Sequence, residues 1–214
     1  KTNERQEKYI RDDIVGCWLF EKEPKQNDEL ENLPLFKLNN NNEHLTVSLK
    51  DRKELPLNIF LKDFLQDKIR FSEVLSSNEI EIRFIEFDCW KCGLKNHIYY
   101  VGNFISPCNA KIFQGDIEMW DSDKLIFDPQ IKDKVLSYAE NNKELNMATI
   151  KERYSRTVND SYMSFGCSEC DSIFGDWYVF EAMLDTWYGD GVIDKMFISK
   201  DEVNVDLQIE IPHW

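Results

Sequence analysis

From Leu57 onward, apolar residues recur at steps of three and four: Leu57, Phe60, Leu61, Phe64 and Leu65, with Ile69 as a last member. That spacing lines one face of a helix, so 55–71 is read as helical. Pro56 suits the first turn, where its missing N–H costs nothing. At residue 79 the period changes. Ile80, Ile82 and Phe84 alternate with Glu79, Glu81 and Arg83 before the pattern slips to Ile85 and Phe87. A period of two marks a strand, here 79–87, and NHIYYVGNFI (96–105) is a second one. The two form a β-hairpin whose tip carries Cys89, Cys92 and Gly93.

Elsewhere the pattern is shorter-ranged. The charged residues 1–13 suggest a frayed helix, and IVGCWLFEKE (14–23) a strand. Pro24, Asn27, Asp28 and Pro34 mark a loop over 24–34. LFKL and LTVSL flank Asn39 to Asn42 as a hairpin, because asparagine tolerates the left-handed conformation of a tip. Residues 106–128 read as irregular. DPQIKDKVLSYAENN (128–142) is a helix with Asp128 as N-cap and Pro129 after it. Residues 147–157 and 161–166 form a further hairpin around Val158, Asn159 and Asp160. Cys167 and Cys170 follow, then a strand over 172–184, a break at Gly189 and Gly191, and an edge-type strand over 203–211.

The cysteines carry the candidate chemistry. Cys89 and Cys92 make one Cys-x-x-Cys pair, and Cys167 and Cys170 make another. Two such knuckles on two hairpins can bring four thiolates to the corners of a tetrahedron about 2.3 Å from a zinc ion. Gly93 suits the left-handed position after the first knuckle, and Asp171 occupies the same place in the second. A redox centre is a competing reading, but a reactive thiol pair sits at the start of a helix, and here a strand follows. A disulfide framework fits small secreted chains, and isolated buried thiols are a further reading. There are 74 residues between Cys92 and Cys167, a large insertion whose closure entropy grows only slowly with length. Cys17 and Cys108 read as small buried hydrophobes, and His97 as a satisfied histidine. Either Cys108 or His97 could replace one ligand.

Strand–CxxCG–strand followed by strand–CxxC–strand resembles a zinc ribbon split by an insertion. RYSRTVNDSYMSFGCSECDSIFGDWYVFEAML (153–184) is similar to a segment of uncharacterised bacterial proteins with two such knuckles, over about residues 80–185. The resemblance implies one structural Zn2+ on Cys89, Cys92, Cys167 and Cys170, and implies no activity. This chain departs in having Phe165 and Gly166 before the second knuckle and Asp171 after it.

Composition narrows the function classes. The chain has 214 residues, enough to bury a core. Its net charge of −14 repels phosphate backbones and anionic lipid and would steer a basic protein toward it, while a plainer reading is that the acidity only keeps the chain soluble. No apolar run reaches the length of a membrane span, and no signal peptide opens KTNERQEKYIRDD, so a cytoplasmic location is expected. Three histidines and the absence of hydrolase or phosphate-loop motifs argue for a non-catalytic role. From Thr157 to Asp194 there is no lysine or arginine, while eight acids interleave with eight aromatics. If exposed, these suit a basic protein; simple alternation would instead bury the aromatics and leave acids as the solvated face. Lys151, Arg153 and Arg156 form the basic patch an alternative, nucleic-acid-associated role would use. The expected architecture is α+β: a split zinc ribbon over 79–214 with an inserted helix and hairpin. A strand–hairpin–helix region over 1–78 packs on it, or is continuous with it as one domain.

Overall fold

The computed structural model describes residues 2–22, 33–41, 44–49, 54–108, 125–210 and 212–214. In chain order the elements are α1 (Thr2–Arg11), β1 (Trp18–Phe20), β2 (Leu35–Asn41), β3 (His44–Ser48), β4 (Glu54–Pro56), α2 (Leu57–Leu65) and β5 (Leu75–Ser76). There follow β6 (Glu79–Asp88), β7 (Lys95–Ile105), α3 (Pro129–Asn141), β8 (Thr149–Ser155), β9 (Asp160–Gly166), α4 (Asp176–Tyr188), β10 (Val192–Ser199) and β11 (Gln208–Ile209). The fold is mixed α+β, and its sheets are antiparallel apart from the β1–β2 pair. Among the described residues, no helix is long and apolar enough to cross a membrane.

Two units divide the chain. The first comprises Lys1–Ser76, Pro107–Lys111 and Gln208–Trp214, the second Ser77–Ser106 and Ile112–Leu207. In the first, β1 to β4 form one sheet in sequential order. Phe60 and Phe64 of α2 pack with Phe36, Val47 and Leu49, and the Trp214 ring meets Phe36 edge-on at 5.3 Å. The expected helix is shorter than 55–71: Pro56 ends β4 and stands at the N-cap position of α2, and Asp67 at φ 57° follows its last turn. The β2–β3 hairpin forms as expected, but its strands run to Asn41 and from His44, so Asn39 pairs with Thr46 inside the ladder. The strand expected over 14–23 shrinks to Trp18–Phe20. Pro24, Asn27, Asp28 and Asn42 lie outside the described residues, as do 109–124 of the stretch read as irregular.

The second unit is built on the sheet β10–β6–β7. Phe84 and Ile85 are adjacent and both buried, which explains the slip in alternation. Both faces of β6 are covered, and a strand buried on both faces needs no polar alternate. Phe84 stacks on Tyr138 of α3 at 5.6 Å, while Tyr100 shares a 2.7 Å hydrogen bond with Thr186 of α4. Asp128 caps α3 as expected, accepting from the Gln130 and Ile131 N–H groups at 2.8 and 3.3 Å. Asp128→Ala is expected to cost about 1 kcal/mol, seen as a melting shift of roughly 2–4 °C.

Two expectations fail near the C-terminus. Residues 172–184 are not a strand: only Ile173 bridges back to Gly166, and α4 begins at Asp176. Val179, Met183 and Thr186 are buried at helical spacing, while Trp177, Tyr178, Glu181 and Asp185 face solvent. Tertiary burial of one helical face overrides the β-propensity of the aromatics. The strand expected over 203–211 reduces to Gln208–Ile209, and the long strand of this region is β10, which the Gly-rich break obscured. β10 lies on the sheet edge, with Ile193, Lys195 and Phe197 exposed in alternation.

Candidate metal centre

The two knuckles are built alike. In the first, the Cys89 N–H donates to the Leu94 carbonyl at 2.9 Å, and the Gly93 N–H donates to the Cys89 carbonyl at 2.9 Å. In the second, the Cys167 N–H donates to Ser172 at 2.9 Å, and the Asp171 N–H to Cys167 at 3.1 Å. Both turns close through a left-handed residue four positions after the first cysteine: Gly93 at φ 71° and Asp171 at φ 57°. Glycine takes that conformation freely, and aspartate is among the few other residues that tolerate it. The β6–β7 hairpin presents the first turn. The second lies between β9 and the short return through Ile173, whose flanking Phe174 N–H donates to Phe165.

The four sulfurs converge although 74 residues separate the pairs in sequence. All lie within 4.8 Å of one another. The Cys89–Cys170 distance is 3.6 Å and the Cys92–Cys167 distance 3.5 Å. A tetrahedron with metal–sulfur bonds of about 2.3 Å has edges of about 3.8 Å, whereas a disulfide needs about 2.05 Å. The spacing fits four thiolates around one ion, and all six cysteines are free.

Donors surround the cluster in the manner thiolates require. Ser172 approaches the Cys170 sulfur at 3.2 Å, and its hydroxyl and N–H bring this thiol down to about 6. At Cys92 the Leu94 N–H favours the thiolate, but desolvation and the neighbouring thiols outweigh it and push the group up to about 12. Four like groups this close cannot all ionise without a counter-charge, and a divalent cation supplies one.

Residues outside the cysteine pairs tie the turns together. Asn96 is fully buried. Its Nδ2 donates to the Leu94 carbonyl at 2.8 Å and lies 3.7 Å from the Cys167 sulfur, while its Oδ1 accepts from the Ser168 N–H at 2.9 Å. One side chain thus spans both knuckles. The Trp90 Nε1 donates to the Ile173 carbonyl at 3.0 Å, a second strut. Arg153 lies across Gly166 and donates to Asp171 at 2.7 Å, to Ser164 at 2.7 Å and to Thr149 at 2.6 Å. A Cβ at Gly166 would fall 2.4 Å from the guanidinium carbon. Lys151 also pairs with Asp171, at 2.6 Å. These two cations hold the Asp171 carboxyl below the usual carboxylate range.

The other sulfur and imidazole groups lie elsewhere. Cys108 sits 3.7 Å from the His213 Nε2, and burial raises the half-buried Cys17. His97 is buried, with its Nδ1 accepting from the Asn146 N–H at 2.8 Å. Sequence spacing pointed to the cysteines and to both left-handed positions. It did not point to Asn96, Arg153 or Ser172, although Ser172 and Leu94 hold the same place, two residues after the last cysteine of each pair. In comparisons with known proteins, the chain matches no family model, no curated protein and no solved structure.

Proposed function

We propose that Cys89, Cys92, Cys167 and Cys170 hold one structural Zn2+, and that the chain is a non-catalytic binding module for a basic protein in the cytoplasm. The convergence of four thiols inside a shell of N–H donors carries the metal reading. Bound there, zinc supplies a crosslink between turns that are remote in sequence. Four sulfur ligands fill its shell, leaving no open position for a reacting water. Thiolate sites of this kind suit a reducing compartment.

Charge and exposed aromatics support the partner reading. Trp177 and Tyr178 are 67% and 66% exposed on α4, one turn from the exposed Glu181. Aromatic anchors beside acidic groups suit a basic surface. The nucleic-acid alternative has less support. Arg153 is buried, and both it and Lys151 pair with Asp171.

The deciding experiment is a native mass spectrum before and after acid denaturation. One zinc per chain is expected to leave, with six free thiols remaining. No metal and a deficit of two or four hydrogens would mean disulfides and sink the structural-metal reading. For the partner, salt-sensitive binding to a basic protein that is lost in Trp177→Ala/Tyr178→Ala is expected. Tight binding to DNA or RNA at low salt would favour the alternative. Asn96→Ala is expected to weaken zinc binding by about 10–100-fold, read by competition with a chromophoric chelator.

A further inference from the structure

Between β9 and α4 the second unit contains a partly open cavity of about 380 Å³. Its apolar walls include Ile126, Phe165, Val179 and Met183, all buried. Phe127 closes one side, its ring 5.7 Å from Phe165. The polar groups are Asp160 at the exposed rim and, deeper, Tyr162 and Asp176. Among the described residues, no lysine, arginine or histidine lines it. Such a volume lies at the small end of ligand sites, the size of a one- or two-ring molecule.

Asp176 decides what the cavity accepts. It is half-buried at the first turn of α4, with the Tyr162 side chain beside it in the cavity lining. Desolvation outweighs the pull of the Tyr162 hydroxyl and raises the carboxyl above its ordinary value. A carboxylate whose folded value is raised penalises the fold. The penalty is full above the folded value and is relieved as pH falls below the unfolded one. An ionised carboxylate in this place costs stability, beside apolar walls and, among the described residues, without a lining cation. Sites of that kind trade stability for function.

We propose that this cavity binds an organic ammonium with an apolar body, either a free arylalkyl amine or the basic side chain of a partner, with Asp176 as counter-ion. The apolar body fills the space between Phe165 and Met183, and the ammonium replaces the water lost by the carboxylate. The two walls, β9 and α4, are the chain segments that enter and leave the second knuckle, so the cysteine cluster fixes their separation at one end. The proposal rests on reading the chain as a module for basic partners, and it names the anchor.

The test titrates phenethylammonium into the zinc-loaded full chain, followed by NMR, with 2-phenylethanol as the neutral match. N-acetyl-lysine-methylamide and N-acetyl-arginine-methylamide stand for side chains. Saturable shifts at Tyr162, Phe165, Val179 and Met183 are expected. The alcohol should bind about tenfold or more weakly than the amine, as expected for loss of a charged hydrogen bond. Asp176→Asn should weaken amine binding by a similar factor while leaving the melting temperature unchanged or higher, whereas a purely structural role would lower it. Tighter binding of a side-chain analogue identifies a partner residue as the source, and tighter binding of phenethylammonium a free amine. Equal affinity for amine and alcohol, no saturable shift at those residues, or unaltered affinity in Asp176→Asn would overturn the proposal. Zinc stoichiometry on the same samples keeps the readings separate: a zinc-loaded chain that ignores every amine overturns the cavity assignment alone.

Discussion

Cys167→Ser is expected to abolish stoichiometric zinc binding and to lower the melting temperature by roughly 8–16 °C in zinc-containing buffer. Cys167 is fully buried, 3.5 Å from Cys92, and within reach of the Asn96 amide. Serine offers a poor ligand in its place, and three remaining thiols leave the ion weakly held. Two routes give the size of the effect. A crosslink closing a loop of this length stabilises by about 4 kcal/mol in the chain-entropy model. A ligand present at a thousand times its dissociation constant contributes about the same. Differential scanning calorimetry with and without a zinc chelator checks the result. The chelated wild type should melt close to the variant, since both have lost the same crosslink. Cys17→Ala serves as the control and should retain one zinc per chain. A Cys167→Ser melting point within 2 °C of wild type, about 1 kcal/mol or less for a chain of this size, would remove the metal from any structural role.

Arg153→Ala carries the next largest expected effect, a loss of about 3 kcal/mol. The guanidinium is 7% exposed and satisfies the Ser164 carbonyl, the Thr149 hydroxyl and the Asp171 carboxylate together. Alanine leaves the Ser164 carbonyl buried without that donor and opens space between β8 and β9. It also leaves Asp171, the left-handed residue that closes the second knuckle, with Lys151 as its one remaining ion-pair partner among the described residues. Zinc affinity should therefore fall together with stability. Arg153→Lys is expected to recover little, because a single ammonium cannot reach a carboxylate and two flanking acceptors in the fork geometry. Gly166→Ala should behave similarly by displacing the guanidinium rather than removing it. Urea unfolding at fixed zinc, with chelator competition on the same proteins, tests all three. Unchanged zinc affinity in Arg153→Ala would show that the second knuckle holds its shape without the pair.

Much of the second unit could be read from neighbours in sequence. The β6–β7 hairpin follows from the period-two alternation over 79–87, the β8–β9 hairpin from its turn at Val158, Asn159 and Asp160, and α3 from Asp128 and Pro129 at its start. The left-handed turns at Gly93 and Asp171 follow from residues that accept positive φ. These signals are local: a side chain's period, a cap or a turn conformation depends on residues within one or two turns of chain.

Other features depend on burial supplied from elsewhere. Residues 172–184 carry the aromatic composition of a strand, and only the packing of Val179, Met183 and Thr186 makes the stretch from Asp176 helical. Trp177 and Tyr178, which alternation would have split between core and surface, are both exposed as a result. Arg153 looked like one member of a basic surface patch and is instead a buried strut, because Gly166 leaves room for it and Asp171 faces it. The sequence by itself determined the two cysteine pairs, their left-handed turn positions and the β6–β7 and β8–β9 hairpins. Only the tertiary structure decided that turns 74 residues apart meet, that Asn96 spans them, and that β9 and α4 enclose a cavity with Asp176 in its wall. Spacing along the chain sets local conformation, whereas contact between distant segments depends on which apolar faces cover one another.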